Sequence, residues 1–234
     1  MKKGHFVVIE GTDGSGKATQ AKMLRRKLQM MDFPHQVIGF PRYSGNPYGK
    51  LVGKYLNGDF GDLGADVGTY LVSLAYAGDR FLAKPQIQQW LHEGNLVIAD
   101  RYVPSNKAYM SAKLPKEMRQ NFIDWLDDLE YNINGIPREE LVIFLFMPPK
   151  QSIKLVAKKE KREYLKEKGA DIHENNIKYQ QEAADVYLDM ARQDLNWVMI
   201  NCLKKDQVKT PQEVHKEIVQ TLTERGILPK GALR

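Results

Sequence analysis

Cysteine is almost absent from this chain of 234 residues, and no long apolar run interrupts it. Because Cys202 is the single cysteine, no disulfide can form within the chain, and a reducing compartment fits best. The apolar stretch after residues 1–5 is too short for the core of a signal peptide or for a membrane span. We therefore expect a cytoplasmic protein with no membrane partner.

Low-complexity linkers, internal repeats and Cys/His clusters with metal-ligand spacing are also absent from the sequence. A length of 234 residues suits one α/β domain, residues 1–234, with at most a small lid inserted in it. A chain of this size buries enough apolar surface to fold without disulfides or a structural metal.

Basic residues outnumber acidic ones, 35 against 29, which gives a net charge of +6. This excess suits either a nucleic-acid-binding surface or a site for small polyanions together with solvated lysines. Much of the excess falls within residues 150–168, and charges elsewhere are mixed in sign. Since duplex binding normally needs a large basic stripe, we regard a nucleic-acid partner as the weaker hypothesis.

Five short apolar runs, rich in β-branched or aromatic residues, are spread along the chain. They cover residues 5–10, 36–40, 96–99, 141–146 and 197–201. Long segments separate them, and several of these have the apolar period of a helix. Continuous apolar strands that alternate with helices predict an α/β fold with a five-stranded parallel sheet covered on both faces.

Local signals place the helices. We predict helices over residues 17–31, 70–83, 87–92, 116–134, 177–192 and 210–224. The last of these begins with the capping box Thr210-Pro211-Gln212-Glu213. We expect residues 226–234 to form a tail, frayed from residue 230 onward.

The segment from Gly11 to Lys17 fits the pattern G-x-x-x-x-G-K between a predicted strand and a predicted helix. Glycines let backbone amides turn toward phosphate oxygens, the helix N-terminus adds positive potential, and Lys17 reaches the β- and γ-phosphates. The expected ATP-binding residues are Gly11, Thr12, Asp13, Gly14, Ser15, Gly16, Lys17, Ala18 and Thr19. The alternative is a glycine turn that only joins a strand to a helix. Ala18 stands where a hydroxyl usually helps to hold Mg²⁺.

Three further segments follow predicted strands or lie on a predicted helix. They are Phe40-Pro41-Arg42-Tyr43, Asp79-Arg80, and Asp100-Arg101-Tyr102 with Ser105, Asn106 and Tyr109. In doubly wound sheets ligands bind at the carboxyl ends of the strands, so we expect these segments to converge on the mouth of the phosphate loop.

Together with Glu10-Gly11-x-Asp13-Gly14, these segments resemble the thymidylate kinase family over about residues 6–191. The sequence Asp-Arg-Tyr-x-x-Ser-Asn-x-x-Tyr is much more specific than the phosphate loop alone. The resemblance implies a three-layer P-loop kinase fold with a short helical lid, and phosphate transfer from MgATP to dTMP, giving dTDP for dTTP synthesis. It also implies a homodimer, with helices near residues 49–56 and 71–82 as candidate contacts.

Arg42 and Arg101 have planar guanidinium groups that suit a phosphate monoester, and the resemblance gives both the acceptor phosphate. Ordinary surface ion pairs are the alternative for both. Asp100 ends a strand, and the resemblance implies that it orients Mg²⁺ or its water; pairing with a helix end is the alternative. The expected catalytic residues are Lys17, Arg101, Asp100 and a cation from the lid.

Asp13 repels the phosphates that it adjoins, which makes sense if its carboxylate accepts a sugar hydroxyl. The resemblance gives it the acceptor's 3′-hydroxyl, with a plain turn-forming aspartate as the alternative. Tyr109 corresponds to a tyrosine that crowds the 2′ position and favours deoxyribose. Tyr43 is a weaker assignment to dTMP binding, since local packing explains it equally well.

Arg80 and Asn106 can hydrogen-bond the edge of a pyrimidine, as the resemblance implies. Tyr76 stands where the family usually stacks phenylalanine on thymine, and tyrosine stacks equally well. Core packing is the alternative for Tyr76.

A basic segment within residues 150–175 looks like a lid that covers the transferred phosphoryl group. A solvated helix face is the alternative, as for most charge runs. In the family the catalytic arginine comes from the phosphate loop or from the lid. Gly14 occupies the loop position here, so we expect Arg162 of the lid to act, and His173 to be a polar lid residue.

Two other functions stay open at this point. The first is a kinase for another acceptor, such as dUMP, a modified deoxynucleotide or a nucleoside, because a base methyl is worth only about 1–3 kcal/mol of discrimination. The second is a nucleotide-binding regulator without catalysis, which Ala18 and the arginine-poor lid suggest.

Overall fold

Five parallel strands form one sheet in the order β2-β3-β1-β4-β5. The computed structural model describes residues 3–61, 63–156 and 177–233. The strands are β1 (His5–Glu10), β2 (His35–Gly39), β3 (Leu96–Asp100), β4 (Leu141–Phe146) and β5 (Trp197–Asn201). The predicted strands are confirmed, with ends that differ by at most one residue.

Helices cover both faces of this sheet. They are α1 (Lys17–Met30), α2 (Pro47–Leu56), α3 (Ala65–His92), α4 (Val103–Ser111), α5 (Lys116–Asp127), α6 (Pro149–Val156), α7 (Ile177–Gln193) and α8 (Pro211–Glu224). A two-stranded hairpin, β6 (Leu203–Lys204) with β7 (Gln207–Val208), follows the sheet and was not predicted. Within the described residues, no helix combines the length and apolar character needed to cross a membrane.

Alternate residues of the central strands enter two separate cores. Phe6 and Val8 of β1 pack with α2 to α5 and α7, whereas Val7 and Ile9 pack with α1 and α8. Both sets are almost fully buried, as expected for a parallel strand covered on both faces. The three-layer α/β fold is therefore confirmed.

The helix α3 runs unbroken through Pro85, where the sequence predicted two helices. Proline removes one backbone donor and frees a carbonyl one turn earlier, which normally ends a helix. Here Pro85 is exposed, so water can reach that carbonyl, while Ala83 and Ile87 on either side are buried in the same core. The free energy gained by burying this continuous apolar face exceeds the cost of the hydrogen bond lost at Pro85.

Two other predicted segments differ from the structure. The predicted helix over residues 116–134 ends as α5 at Asp127 and continues as a wider π-helical turn, Asp128–Ile133. The predicted tail is wrong, because Ile227, Leu228 and Ala232 are buried against α1 and α8, and Lys230–Leu233 forms a 3₁₀ helix. These apolar side chains gain more from the core than a frayed end would retain in entropy.

Candidate active site

The phosphate loop lies between β1 and α1, as predicted. Gly11, Gly14 and Gly16 all have positive φ angles, the left-handed region that favours glycine. At Gly14 a Cβ atom would also lie 2.4 Å from the backbone oxygen of Ser152 in α6. No larger side chain fits there without moving α6, so the loop cannot supply a catalytic arginine at this position.

Lys17 is buried at the first turn of α1. Its Nζ donates to the carbonyl oxygens of Gly11 and Thr12, both at 2.8 Å, within the loop itself. Burial, then repulsion from Arg101, lowers its pKa from 10.5 to about 7, although Asp13 and nearby carboxylates oppose the shift. The amine is thus poised to gain a proton when anionic phosphate oxygens arrive.

The mouth of the loop is a cavity that brings together residues from three strand ends. It is lined by Asp13, Gly14, Gly16, Lys17, Ala18, Gly39, Phe40, Pro41, Tyr43, Asp100 and Arg101. Thr19 is exposed on α1 and does not line this cavity. The segments that follow β2 and β3 converge here at the carboxyl ends of the strands, whereas Asp79 and Arg80 do not line the mouth.

The turn after β3 places Arg101 beside the loop. Arg101 has a positive φ of 69°, and its backbone N–H donates to Ile9 of β1 at 3.1 Å. Its guanidinium forms a short ion pair with Asp13 and donates to Ser105 Oγ at 3.0 Å. Burial lowers the pKa of Arg101, but Asp13 and the nearby Tyr109, Tyr187 and Glu10 together raise it well above its usual value, so the group stays charged.

Tyr109 closes the other side of Asp13. Its hydroxyl accepts from the Asp13 backbone N–H at 2.9 Å and donates to the Asp13 carboxylate at 3.1 Å. The Arg101 guanidinium lies over the Tyr109 ring, 5.3 Å from its centre. Burial and the Asp13 charge hold the pKa of Tyr109 well above its usual range, so the hydroxyl stays protonated.

A second cavity adjoins the mouth on the far side of this cluster. It is lined by Asp13, Phe40, Pro41, Tyr43, Leu56, Tyr76, Arg80, Arg101, Tyr102, Ser105, Asn106, Tyr109 and Met110. All but one of the residues expected to bind the acceptor line it. The exception is Arg42, whose backbone N–H and Nε both donate to the buried Asp79 of α3 at 2.8 Å.

Glu10 is a buried carboxylate that sequence reasoning missed. It accepts from the backbone N–H groups of Tyr102 and Ser105, at 2.8 and 3.2 Å, and from the hydroxyls of Ser105 and Tyr187, at 2.7 and 2.8 Å. Burial raises the pKa of Glu10, while Arg101 and these donors lower it. An acidic residue at the end of an apolar strand was the available signal.

Asp100 ends β3 within the mouth and is half-buried. Its charge acts on Lys17 and raises the pKa of that lysine, against the larger effect of burial. Among the described residues, none forms a hydrogen bond or ion pair with its carboxylate. No three His, Cys, Asp or Glu side chains in this part of the chain are grouped as a metal site. The arrangement fits an ion such as Mg²⁺, which takes one or two carboxylates and completes its shell with phosphates and water.

The family model described as thymidylate kinase matches residues 9–218. The chain belongs to the thymidylate kinase family. It is therefore a kinase, that is, a phosphotransferase.

Relatives from distant organisms agree with this assignment. The thymidylate kinase of Mycobacterium tuberculosis is 29% identical over 190 residues, which are 80% of this chain and 86% of that protein. The thymidylate kinase of Homo sapiens is 28% identical over 237 residues, covering 97% and 96% of the two chains. A solved thymidylate kinase from Candida albicans superposes with a TM-score of 0.75 at 25% identity, covering 96% of this chain and 93% of that one.

One predicted catalytic residue of the kinase, Arg162, lies outside the described residues, as does most of the predicted lid with His173. The described part of the lid region is α6, which packs its Ser152 carbonyl close to Gly14. The remaining predicted site residues line one or both of the two cavities, apart from Gly11, Thr12, Ser15, Thr19 and Arg42.

Proposed function

We propose that this chain transfers the γ-phosphoryl group of ATP to dTMP, giving dTDP as a step in dTTP synthesis. The observation that carries the proposal is that two cavities share a wall. Asp13, Phe40, Pro41, Tyr43 and Arg101 line both the mouth of the phosphate loop and the acceptor cavity. A donor phosphate on one side and an acceptor phosphate on the other would meet there, as in-line transfer requires.

On the donor side, the loop amides from Gly11 to Lys17 and the start of α1 hold the ATP phosphates. Lys17 exchanges its two carbonyl partners for β- and γ-phosphate oxygens and becomes fully protonated. In this mechanism Lys17 stabilises the transferred phosphoryl group by its charge and does not donate a proton to it.

On the acceptor side, Arg101 and Arg42 hold the dTMP phosphate. Arg101 already has Asp13 and Ser105 as partners, which fix its guanidinium between the two cavities. Arg42 is held by Asp79, between Pro41 and Tyr43, which line both cavities. Each arginine uses only part of its five donors in these contacts, so a phosphate can share them.

Deeper in the acceptor cavity, the sugar and base meet different groups. Asp13 accepts the 3′-hydroxyl, and Tyr109 occupies the space that a 2′-hydroxyl would need. The base lies against Tyr76 and Tyr43. Arg80 and Asn106 hydrogen-bond the base edge.

Asp100 would hold Mg²⁺ that arrives with ATP, partly through water, because Ala18 offers no oxygen. When bound, the ion supplies positive charge to the phosphate oxygens as negative charge builds on them.

The lid cation is assigned to Arg162, since Gly14 has no room for a side chain. Cys202, buried and free, fits a reducing cytoplasm.

A coupled assay of ADP formation tests the proposal with dTMP, dUMP, dGMP and thymidine as acceptors. We expect dTMP to be preferred and R162A to lose most turnover while it still binds both substrates. Negligible transfer to dTMP would contradict the main proposal. Tight ATP binding without transfer to any acceptor would favour a regulator, and full turnover by R162A would remove only the lid assignment.

A further inference from the structure

A fully buried ion pair lies behind the acceptor cavity, between α3 and the π-helical turn Asp128–Ile133. Arg80 of α3 is 2% exposed and Glu130 of the turn is 0% exposed. The Arg80 Nε donates to Glu130 Oε1 at 2.8 Å, and Nη2 donates to the same oxygen in a short contact. Removing two charges from water costs free energy that their attraction often does not repay, so a buried pair of this kind calls for an explanation other than stability.

Three of the five N–H hydrogens of Arg80 have an acceptor among the described residues. Nε uses its hydrogen on Glu130, and Nη2 uses its two hydrogens on Glu130 and on Asn106 Oδ1, the latter at 2.8 Å. Asn106 in turn donates to Ser73 Oγ at 2.9 Å. Within the described part of the chain nothing accepts from Nη1, so its two hydrogens are left for a ligand in the cavity that Arg80 lines.

The turn that carries Glu130 is itself fastened to α3. Lys84, one helical turn after Arg80, donates to the carbonyl of Asn134 at the end of the turn, at 2.9 Å. Short π-helical segments occur frequently at functional sites. Glu130 lies on this turn and contacts Arg80, a pairing that the sequence did not reveal.

The three arginines of the acceptor site each have a carboxylate partner, but their exposure differs. The side chains of Arg42 and Arg101 are 27% and 18% exposed, near the rim and the mouth, where a dianionic phosphate can compete for them. Arg80 is closed in, and Glu130 raises its pKa despite the opposing effect of burial. The deep end of the cavity is therefore electrically neutral yet has rigid donors, which suits an uncharged base better than a phosphate.

We propose that Glu130 is a positioning residue for base recognition: it holds the Arg80 guanidinium so that Nη1 presents two donors to a carbonyl oxygen of the base. This inference rests on the proposed function, since it takes the acceptor to be a thymine nucleotide. Thymine carries a carbonyl at ring position 4, whereas cytosine carries an amino group there. Fixed N–H donors donate to the carbonyl oxygen, whereas they face the N–H groups of an amino group without forming a hydrogen bond.

The test compares dTMP with dCMP for the whole chain and for E130Q, by calorimetric binding without ATP and by kcat/KM with ATP. Glutamine keeps the size of the side chain but removes the charge that orients Arg80. We expect the dTMP-to-dCMP ratio of affinities to fall at least about tenfold, mainly through weaker dTMP binding. The KM for ATP should stay unchanged.

The matched control is E139Q, which changes a half-buried carboxylate that follows the same turn in the chain. Glu139 accepts from the hydroxyl of Tyr131, the residue after Glu130, at 2.7 Å, and within the described residues it forms no hydrogen bond or ion pair with Arg80. We expect E139Q to leave the ratio unchanged. If E130Q does not fold, E130D replaces it, since a carboxylate shortened by one methylene loosens the pair without removing its charge.

An equal loss of affinity for both nucleotides, or an unchanged ratio, would overturn the inference and leave Glu130 a structural partner only. Failure of the proposed function is distinguishable. If the wild-type chain binds dTMP but transfers no phosphate, the binding ratio still decides the role of Glu130. If it binds no dTMP, both proposals fall.

Discussion

At the scale of single residues, Lys17 links the protonation of the site to ATP binding. Its pKa of about 7 lies below the unfolded value of 10.5. The folded protein therefore binds fewer protons than the unfolded chain between these values, and the contribution of Lys17 to stability rises with pH through that window. Anionic phosphates raise the pKa of Lys17 again, because they favour its charged amine.

We predict that ATP binding at pH 8 takes up about one proton per site, since Lys17 is mostly neutral in the free protein at that pH. Titration calorimetry in two buffers of different ionisation enthalpy measures this uptake. K17M should abolish it, and K22M, which changes an exposed lysine of the same helix, should not. Equal uptake by K17M and the wild-type chain would contradict the prediction.

Glu10 shows how one buried carboxylate can order several backbone groups. Its removal leaves the N–H groups of Tyr102 and Ser105 without their acceptor in a buried site. We predict that E10A lowers the free energy of unfolding by roughly 2–5 kcal/mol, measured in urea. E140A is the control, because the Glu140 side chain is half-exposed and, among the described residues, pairs with His5 alone; it should cost less than about 1 kcal/mol. Similar losses in both variants would count against this role.

At the scale of elements, α2 packs so closely on the segment after β2 that glycine is required at the contact. A Cβ atom at Gly49 would lie 2.0 Å from the carbonyl oxygen of Arg42. Asn46 caps α2 by accepting from the Gly49 N–H at 3.0 Å, and it also donates to Asp79 of α3 at 2.6 Å. The two helices thus determine where Arg42 lies.

We predict that G49A raises the KM for the acceptor nucleotide and costs about 1–3 kcal/mol of stability, because the added methyl group displaces Arg42. The KM for ATP should change little. G231A is the matched control, since a Cβ atom there meets nothing within 4 Å. An acceptor KM equal to that of the wild-type chain would show that the displacement is absorbed elsewhere.

The elements also show what local sequence can predict. The strands and the phosphate loop depend on short apolar runs and on closely spaced glycines, so the sequence predicted them well. The unbroken α3 and the packed C-terminus depend on buried faces that distant segments provide, at Ala83 and at Ala232. Local rules for proline and for chain ends could not include those contacts.

At the scale of the whole molecule, an apolar stripe runs along the outside of α3. Val67, Leu71 and Leu74 are spaced by four and three residues, and Phe81 follows seven later; all are exposed, Leu71 by 57%. Tyr48 and Leu51 of α2 extend the same surface. An exposed stripe of this kind marks an interaction surface, and a self-complementary one gives a two-fold dimer.

We propose that two copies of the chain pair through this stripe, and we predict that L71E converts the dimer to a monomer in sedimentation velocity experiments. A buried glutamate opposite its own copy repels it and loses water. L195E is the control, because Leu195 is 90% exposed and lies apart from α2 and α3. A wild-type monomer, or a dimer that survives L71E, would refute this part alone.

The sequence by itself determined the phosphate loop, the positions of the five strands along the chain, the resemblance to the family and most of the residues around the acceptor cavity. These rest on short-range patterns and on the rule that parallel strands share one functional edge. Only the tertiary structure decided which charges meet: Arg42 with Asp79, Arg101 with Asp13, and Arg80 with Glu130, which is 50 positions away in the chain. Whether a charged side chain recognises a phosphate or a neutral base depends on its burial and its partner, and neither is a local property of sequence.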